Sequence, residues 1–328
     1  PSGFEGAVAR VALDMLSPLV GEAYLDRMGN VVGLRPCGKP GAKKVLLDAH
    51  LDEIGFIITG QEEGYLRFAP LGGVDPRMLP DRELTVLTDP PRLGVVACLP
   101  PHIQSREDMD KSQPISELYL DLGLTEDEAK AIPIGTPAVY RTGCLALGKD
   151  LLSGKALDDR ACFVLLLRAL ALLEGEELDV DLVVLGSTQE ETHSTGAITA
   201  AYGLRPDLCV AVDVTHGDSP DASKDKTFPL GKGPVIGLGP NCTKWISDLM
   251  RRCAKEMDLN VQLEVMSGSS GTNGWPLQVS REGIATGVLS LPLRYMHTPI
   301  ETAHQGDMED TARLLAEFIR RVGKEGAL

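Results

Sequence analysis

The chain has 328 residues, a formal net charge of -15 and 43% hydrophobic residues, with only 4% aromatics. That length favours one large domain plus a smaller inserted one, with a core built from Leu, Val, Ile and Ala. The acidic balance argues against a nucleic-acid backbone or an anionic membrane as partner and fits a soluble enzyme, most of whose carboxylates are solvated surface while some are candidates to hold cations.

The opening Pro1–Gly6 reads as the middle of a segment, and whether the native chain begins earlier is left open. The apolar spacing of Val8, Val11, Ala12, Met15 and Leu16 predicts a helix over residues 5–16, closed by Pro18. Gly29-Asn30 then marks a turn between short strands at 23–26 and 31–34. Val45-Leu46-Leu47 is a buried strand running into Asp48-Ala49-His50-Leu51-Asp52-Glu53, and 54–59 is a further apolar strand. From about Gln61 to Lys149 strands shorten and Gly72-Gly73, Pro90-Pro91 and Pro100-Pro101 punctuate the chain. Apolar strand patterns such as 84–87 and 93–98 recur there, so 62–149 is expected to be a small β-rich domain. It divides a larger α/β domain into residues 1–61 and 150–328.

After Gly154 the α/β texture returns. A nearly all-apolar helix is predicted over 160–173, a strand over 180–185, a helix over 194–202 and a strand over 208–212. There follow a helix over 242–257, strands over 261–265 and 285–291, and a closing helix over 308–322. Alternating strands and helices predict a mixed sheet sandwiched by helices.

Several apolar strands end in acids or histidine. Residues 45–47 lead to His50 and Asp52, 180–185 to Glu190 and Glu191, 208–212 to Asp213, and 285–291 to His297. Asp158-Asp159 precedes the buried helix. Ligands of open α/β sheets bind beyond the carboxyl ends of the strands, so these groups are expected to share one crevice. Clustered carboxylates repel and raise one another's pKa, and divalent cations remove that cost. Two imidazoles with carboxylates suit zinc, cobalt or manganese better than magnesium or calcium. Asp52, two residues from His50, is the candidate partner for its second ring nitrogen. Of Glu190 and Glu191, one is expected to bind metal and the other to act as general base. Singly these signals are weak: adjacent acids are usually solvated surface, an Asp after a strand is often a cap, and a His before Pro is often a loop residue. His193 and His216 are read as supporting or surface residues, and His102 and His304 as structural or surface ones.

The combination resembles the metallopeptidases that include the tetrahedral (TET) aminopeptidases, glutamyl aminopeptidases and some endoglucanase-labelled relatives, peptidase family forty-two. The motifs span the chain: PSGFEG at 1–6, DAHLDEIGF at 48–56, LGGVD at 71–75, GKALDDR at 154–160, QEE at 189–191, AVDVT at 211–215, GSSGTN at 268–273 and PLRYMHTP at 292–299. The resemblance implies an aminopeptidase with two divalent metal ions per subunit, zinc or cobalt first and manganese as the third choice. It implies His50, Asp158 and Asp213 at one metal, Glu191 and His297 with Asp158 at the other, and Glu190 as base. It also implies a cis peptide between Asp158 and Asp159. The insert resembles that family's small barrel-like domain, which there makes dimers that build twelve-subunit shells. This chain departs in having Thr192-His193 after QEE, where many relatives have Val-Gly, and Asn273 where many have Asp. Asn273 is therefore expected to bear on recognition of the substrate's amine.

The expected substrates are peptides, with no nucleic acid or membrane as partner and a homo-oligomer, dimer or dodecamer, as the assembly. Seven scattered cysteines without a CxxC pair point to a reducing, cytoplasmic setting, and neither a membrane span nor a signal peptide is read. The competing readings are a glycoside hydrolase, an amidase or deacylase using the same metal centre, and a metal-dependent scaffold without activity. A glycosidase would leave His50 and His297 without a task and normally offers more aromatic platforms than 2 Trp provide.

Overall fold

The computed structural model describes residues 1–105, 111–220 and 222–325. Its centre is four parallel strands, in spatial order Val180–Ser187, Lys43–His50, Leu208–His216 and Ala285–Arg294. Strands buried on both faces read as near-continuous apolar runs, and residues 45–47, 182–185 and 208–212 are such runs within them. Val45, Leu47, Leu182, Val184, Val210 and Val212 enter a large core with helices Gly6–Leu16, Leu157–Leu172, Lys244–Glu256 and Gln305–Glu325. The alternate residues Leu46, Val183, Leu185, Cys209 and Ala211 enter a second core beneath helix Thr195–Leu204. The fold is thus the expected helix-flanked mixed sheet.

Among the described residues the sheet has eleven strands. Val31–Arg35 and Glu22–Leu25 extend it antiparallel on one side. Glu301–His304, Leu151–Gly154 and Leu145–Leu147 extend it on the other. Val235–Leu238 and Gln262–Val265 branch from Ala285–Arg294. Helix Leu157–Leu172 is apolar all round because it packs against the sheet on one side and helix Gln305–Glu325 on the other. The apolar pattern predicts its start at Arg160; its first turn instead begins at Leu157, with Asp158 and Asp159 in non-helical conformations.

A closed six-stranded barrel stands apart, in the order Gly55–Glu62, Tyr65–Leu71, Tyr119–Asp121, Arg92–Ala97, Glu83–Val86 and Pro137–Tyr140. Closure leaves no unpaired edge. Its separate core centres on Phe56, whose ring meets those of Phe68 and Tyr140 edge-on at 5.4 and 5.2 Å. The change of texture at Gln61 falls inside the barrel's first strand. Among the described residues no helix is long and apolar enough to cross a membrane.

Candidate metal centre

The parallel register aligns the strand ends that carry the chemistry. His50 pairs with Ser187, Asp48 with Ala211, and Asp213 with Ser290. Beyond Ser187 the chain turns at Gln189, which adopts a left-handed conformation at φ 59°, and enters the short helix Glu190–His193. The carboxylate of Glu5, from the PSGFEG segment, accepts the Gln189 N–H at 3.0 Å and fixes that turn. Asp52 accepts the next two N–H groups, from Glu190 at 3.0 Å and Glu191 at 3.1 Å. The two glutamates are therefore aimed by one buried aspartate.

Asp52 also faces His50, with Oδ1 3.4 Å from Nδ1, which leaves His50 Nε2 turned to the cavity. Nε2 lies 3.1 Å from Asp158 Oδ1, 3.9 Å from Glu190 Oε2 and 4.0 Å from Asp213 Oδ1. Across the cavity, His297 Nε2 lies 3.3 Å from Asp158 Oδ2 and 3.3 Å from Glu191 Oε2. Its Nδ1 donates to the Gly73 carbonyl at 3.0 Å, which turns Nε2 toward the cavity. All seven residues singled out in the sequence (His50, Asp52, Asp158, Glu190, Glu191, Asp213 and His297) are thus brought together at one end of the sheet. The Asp158–Asp159 peptide is cis.

Four supporting residues escape a reading of strand-end acids. Glu301 accepts the backbone N–H of Asp158 at 3.1 Å and of His297 at 3.0 Å, clamping both from below. Asp159 accepts the His50 N–H at 3.1 Å. Gly73 and Glu5 belong to the quoted motifs, but nothing in their spacing shows that they hold His297 and the glutamate turn. Asn273, expected to bear on the substrate's amine, is instead buried at 2% exposure. It donates to Asp48 Oδ2 at 2.8 Å and Ser187 Oγ at 2.9 Å, and it does not line the cavity. His193 is exposed, and His216, also exposed, sits on the cavity wall.

The electrostatics are those of a cation site. Burial, reinforced by neighbouring carboxylates, pushes Glu190 up to about 7 and Glu191 up to about 8. Burial raises Asp213 well above the usual carboxylate range. Burial would lower both histidines, but hydrogen bonds with Asp158 win, so His50 is raised and His297 reaches about 9. Asp158 is lowered: against its burial stand the hydrogen bonds from His297 and His50. Protons are here doing what divalent cations do in such clusters. The ligand atoms of His50, Asp158 and Glu191 lie within 4.8 Å of one another, as do those of His50, Asp159 and Asp213. Two imidazole nitrogens among carboxylate oxygens fit zinc, cobalt or manganese.

A barrel-bearing, helix-flanked mixed sheet with this cluster at its strand ends is an enzyme-like scaffold whose donors could bind metal. The profile of the M42 glutamyl aminopeptidase family matches residues 29–314, so the chain belongs to that family and is an aminopeptidase. A lysyl aminopeptidase of Pyrococcus furiosus is 34% identical over 330 residues, covering 98% of this chain and 93% of the relative. Among solved structures, an aminopeptidase of the archaeon Desulfurococcus kamchatkensis is 33% identical, with a TM-score of 0.90 over 98% of this chain and 91% of that one. The TET1 peptidase of Pyrococcus horikoshii, described as able to assemble into a tetrahedron or a large octahedral shell, is 27% identical, with a TM-score of 0.84 over 98% and 95% of the two chains.

Proposed function

We propose that this aminopeptidase works through two metal ions shared by Asp158, with Glu190 as general base, and releases N-terminal residues from peptides. One observation carries the reading: the two oxygens of Asp158 face two different imidazoles, Oδ1 that of His50 at 3.1 Å and Oδ2 that of His297 at 3.3 Å. A carboxylate so placed would be able to hold two ions. His50, Asp158 and Asp213 would hold one, and Asp158, Glu191 and His297 the other. Bound there, two divalent ions, zinc or cobalt and less readily manganese, would supply Lewis acidity that polarises a carbonyl and acidifies water.

This chain's residues do the rest. Asp52 orients His50 and both glutamates. Glu190 sits 3.9 Å from His50 Nε2, reaches the cavity, and is left without a ligand's task. It accepts the proton of a water that adds to the peptide carbonyl carbon. As the C–N bond breaks, it returns that proton to the departing amine. Glu190→Gln is expected to keep its metal content by elemental analysis while kcat falls by about 10²–10⁴. Full turnover in that variant would refute the base assignment.

We extend the reading to the assembly and its setting. The chain forms a homo-oligomer, which the shell described for the Pyrococcus horikoshii relative supports, with the inserted barrel as the contact we assign to it. All seven cysteines are free, which supports a reducing, cytoplasmic setting.

A further inference from the structure

The strand Gln262–Val265 is inverted. Its outward residues Leu263 and Val265 are exposed at 42% and 80%, while Glu264 turns inward and lines the same cavity as His50, Asp158 and His297. A strand beside a core normally buries its apolar residues and solvates its charges. Glu264 Oε2 is buried and accepts no hydrogen bond. Burial raises its pKa, and against that stand a hydrogen bond from Thr215 and the neighbouring imidazole of His216. A buried carboxylate oxygen left unpaired is costly unless something completes it.

The cavity, about 470 Å³, shows what would do so. Among the described residues five carboxylates line it, Asp158, Glu190, Glu191, Asp213 and Glu264, and no lysine or arginine does. Four of these are already used in the metal centre, which leaves Glu264 over. Beside it Val214, Met266 and Met296 give the wall an apolar stretch. A cationic side chain with a methylene stem matches that pairing: the stem lies on the methionines and the charged end meets the carboxylate.

We propose that Glu264 selects a cationic side chain, lysine or arginine, at the N-terminal residue of the substrate. This rests on the aminopeptidase reading of the adjoining metal centre. The ammonium or guanidinium donates to Glu264 Oε2. An acidic side chain meets a like charge there, and an aliphatic one leaves the oxygen unpaired.

The test uses metal-reconstituted protein and p-nitroanilides of lysine, arginine, norleucine and glutamate. Norleucine is lysine without its ammonium group. Lysine and arginine are expected to exceed norleucine in kcat/KM by about tenfold or more, as a desolvated polar contact warrants. Glu264→Gln should collapse the lysine-to-norleucine ratio by a similar factor, and Glu264→Lys should shift preference toward glutamate. Because the readout is a ratio, a general loss of activity does not imitate it. Equal losses on lysine and norleucine, or a wild-type preference for norleucine or glutamate, overturn the proposal. Failure of the aminopeptidase reading looks different, as no turnover on any member of the panel. Calorimetric binding of free L-lysine and L-norleucine would then decide: a lysine preference that Glu264→Gln abolishes supports the proposal, and equal binding overturns it.

Discussion

Gly73 illustrates how much a single residue contributes here. Its carbonyl accepts from His297 Nδ1, and a Cβ built on it would lie 2.7 Å from that same nitrogen. No side chain fits without displacing the imidazole. Gly73→Ala is therefore expected to weaken metal binding by about tenfold or more, the usual scale for losing a ligand's orienting partner. Competition against a chelator measures it, and unchanged affinity would mean that His297 is held by other means. Asn273 is the opposite case, a residue whose identity invites a substrate role and whose position denies one. Buried beneath the strand ends, it supplies two hydrogen bonds where Asp48, raised by burial to about 6, needs a donor.

At the scale of elements, the barrel touches the site through Gly73, which follows the strand Tyr65–Leu71. Its surface exposes Leu93, Val95, Leu99, Ile103 and Ile134, the kind of side chain that subunit contacts cover. Sedimentation is expected to give a mass at least twice the 35.1 kDa of one chain. A single-chain mass at working concentration would remove the barrel's assembly role. The strands that end in ligands were legible because burial on both faces leaves Val45–Leu47, Val180–Leu185 and Leu208–Val212 as apolar runs. Their parallel alignment then follows from the alternating helices. Glu301–His304 and Leu151–Gly154 were not legible, since each is only four residues long and lacks an apolar-polar alternation, and pairing alone makes them strands. The turn at Gln189 was hidden too. Its left-handed backbone is stabilised by Glu5, 184 positions away, and no local pattern records so distant a contact.

For the whole molecule, the metal centre ties stability to pH. Glu190, Glu191 and Glu301 have folded values of about 7, 8 and 8 against an ordinary 4.5, burial being the largest cause in each. Groups raised on folding contribute stability that is complete below about 4.5 and is lost as pH rises through 7 to 8. His297, raised to about 9 from 6.5, acts in the same direction over a higher range. Asp52 and Asp158 are lowered, so their contribution is lost only in acid. Metal-free protein should therefore lose thermal stability steadily from pH 5 to pH 9. If zinc binds in place of those protons, as proposed, the rise in Tm on adding it should grow over the same interval. Melting curves with and without chelator check this, and a metal-free Tm that is flat or rising would contradict it.

The central claim is that Asp158 stands between two ions. Anomalous diffraction from metal-reconstituted crystals tests it most directly. The account predicts two peaks per subunit, one on each side of the Asp158 carboxylate, the first touched by His50 and Asp213, the second by Glu191 and His297, and neither by Glu190. A lone peak, or ions bound away from Asp158, would contradict it.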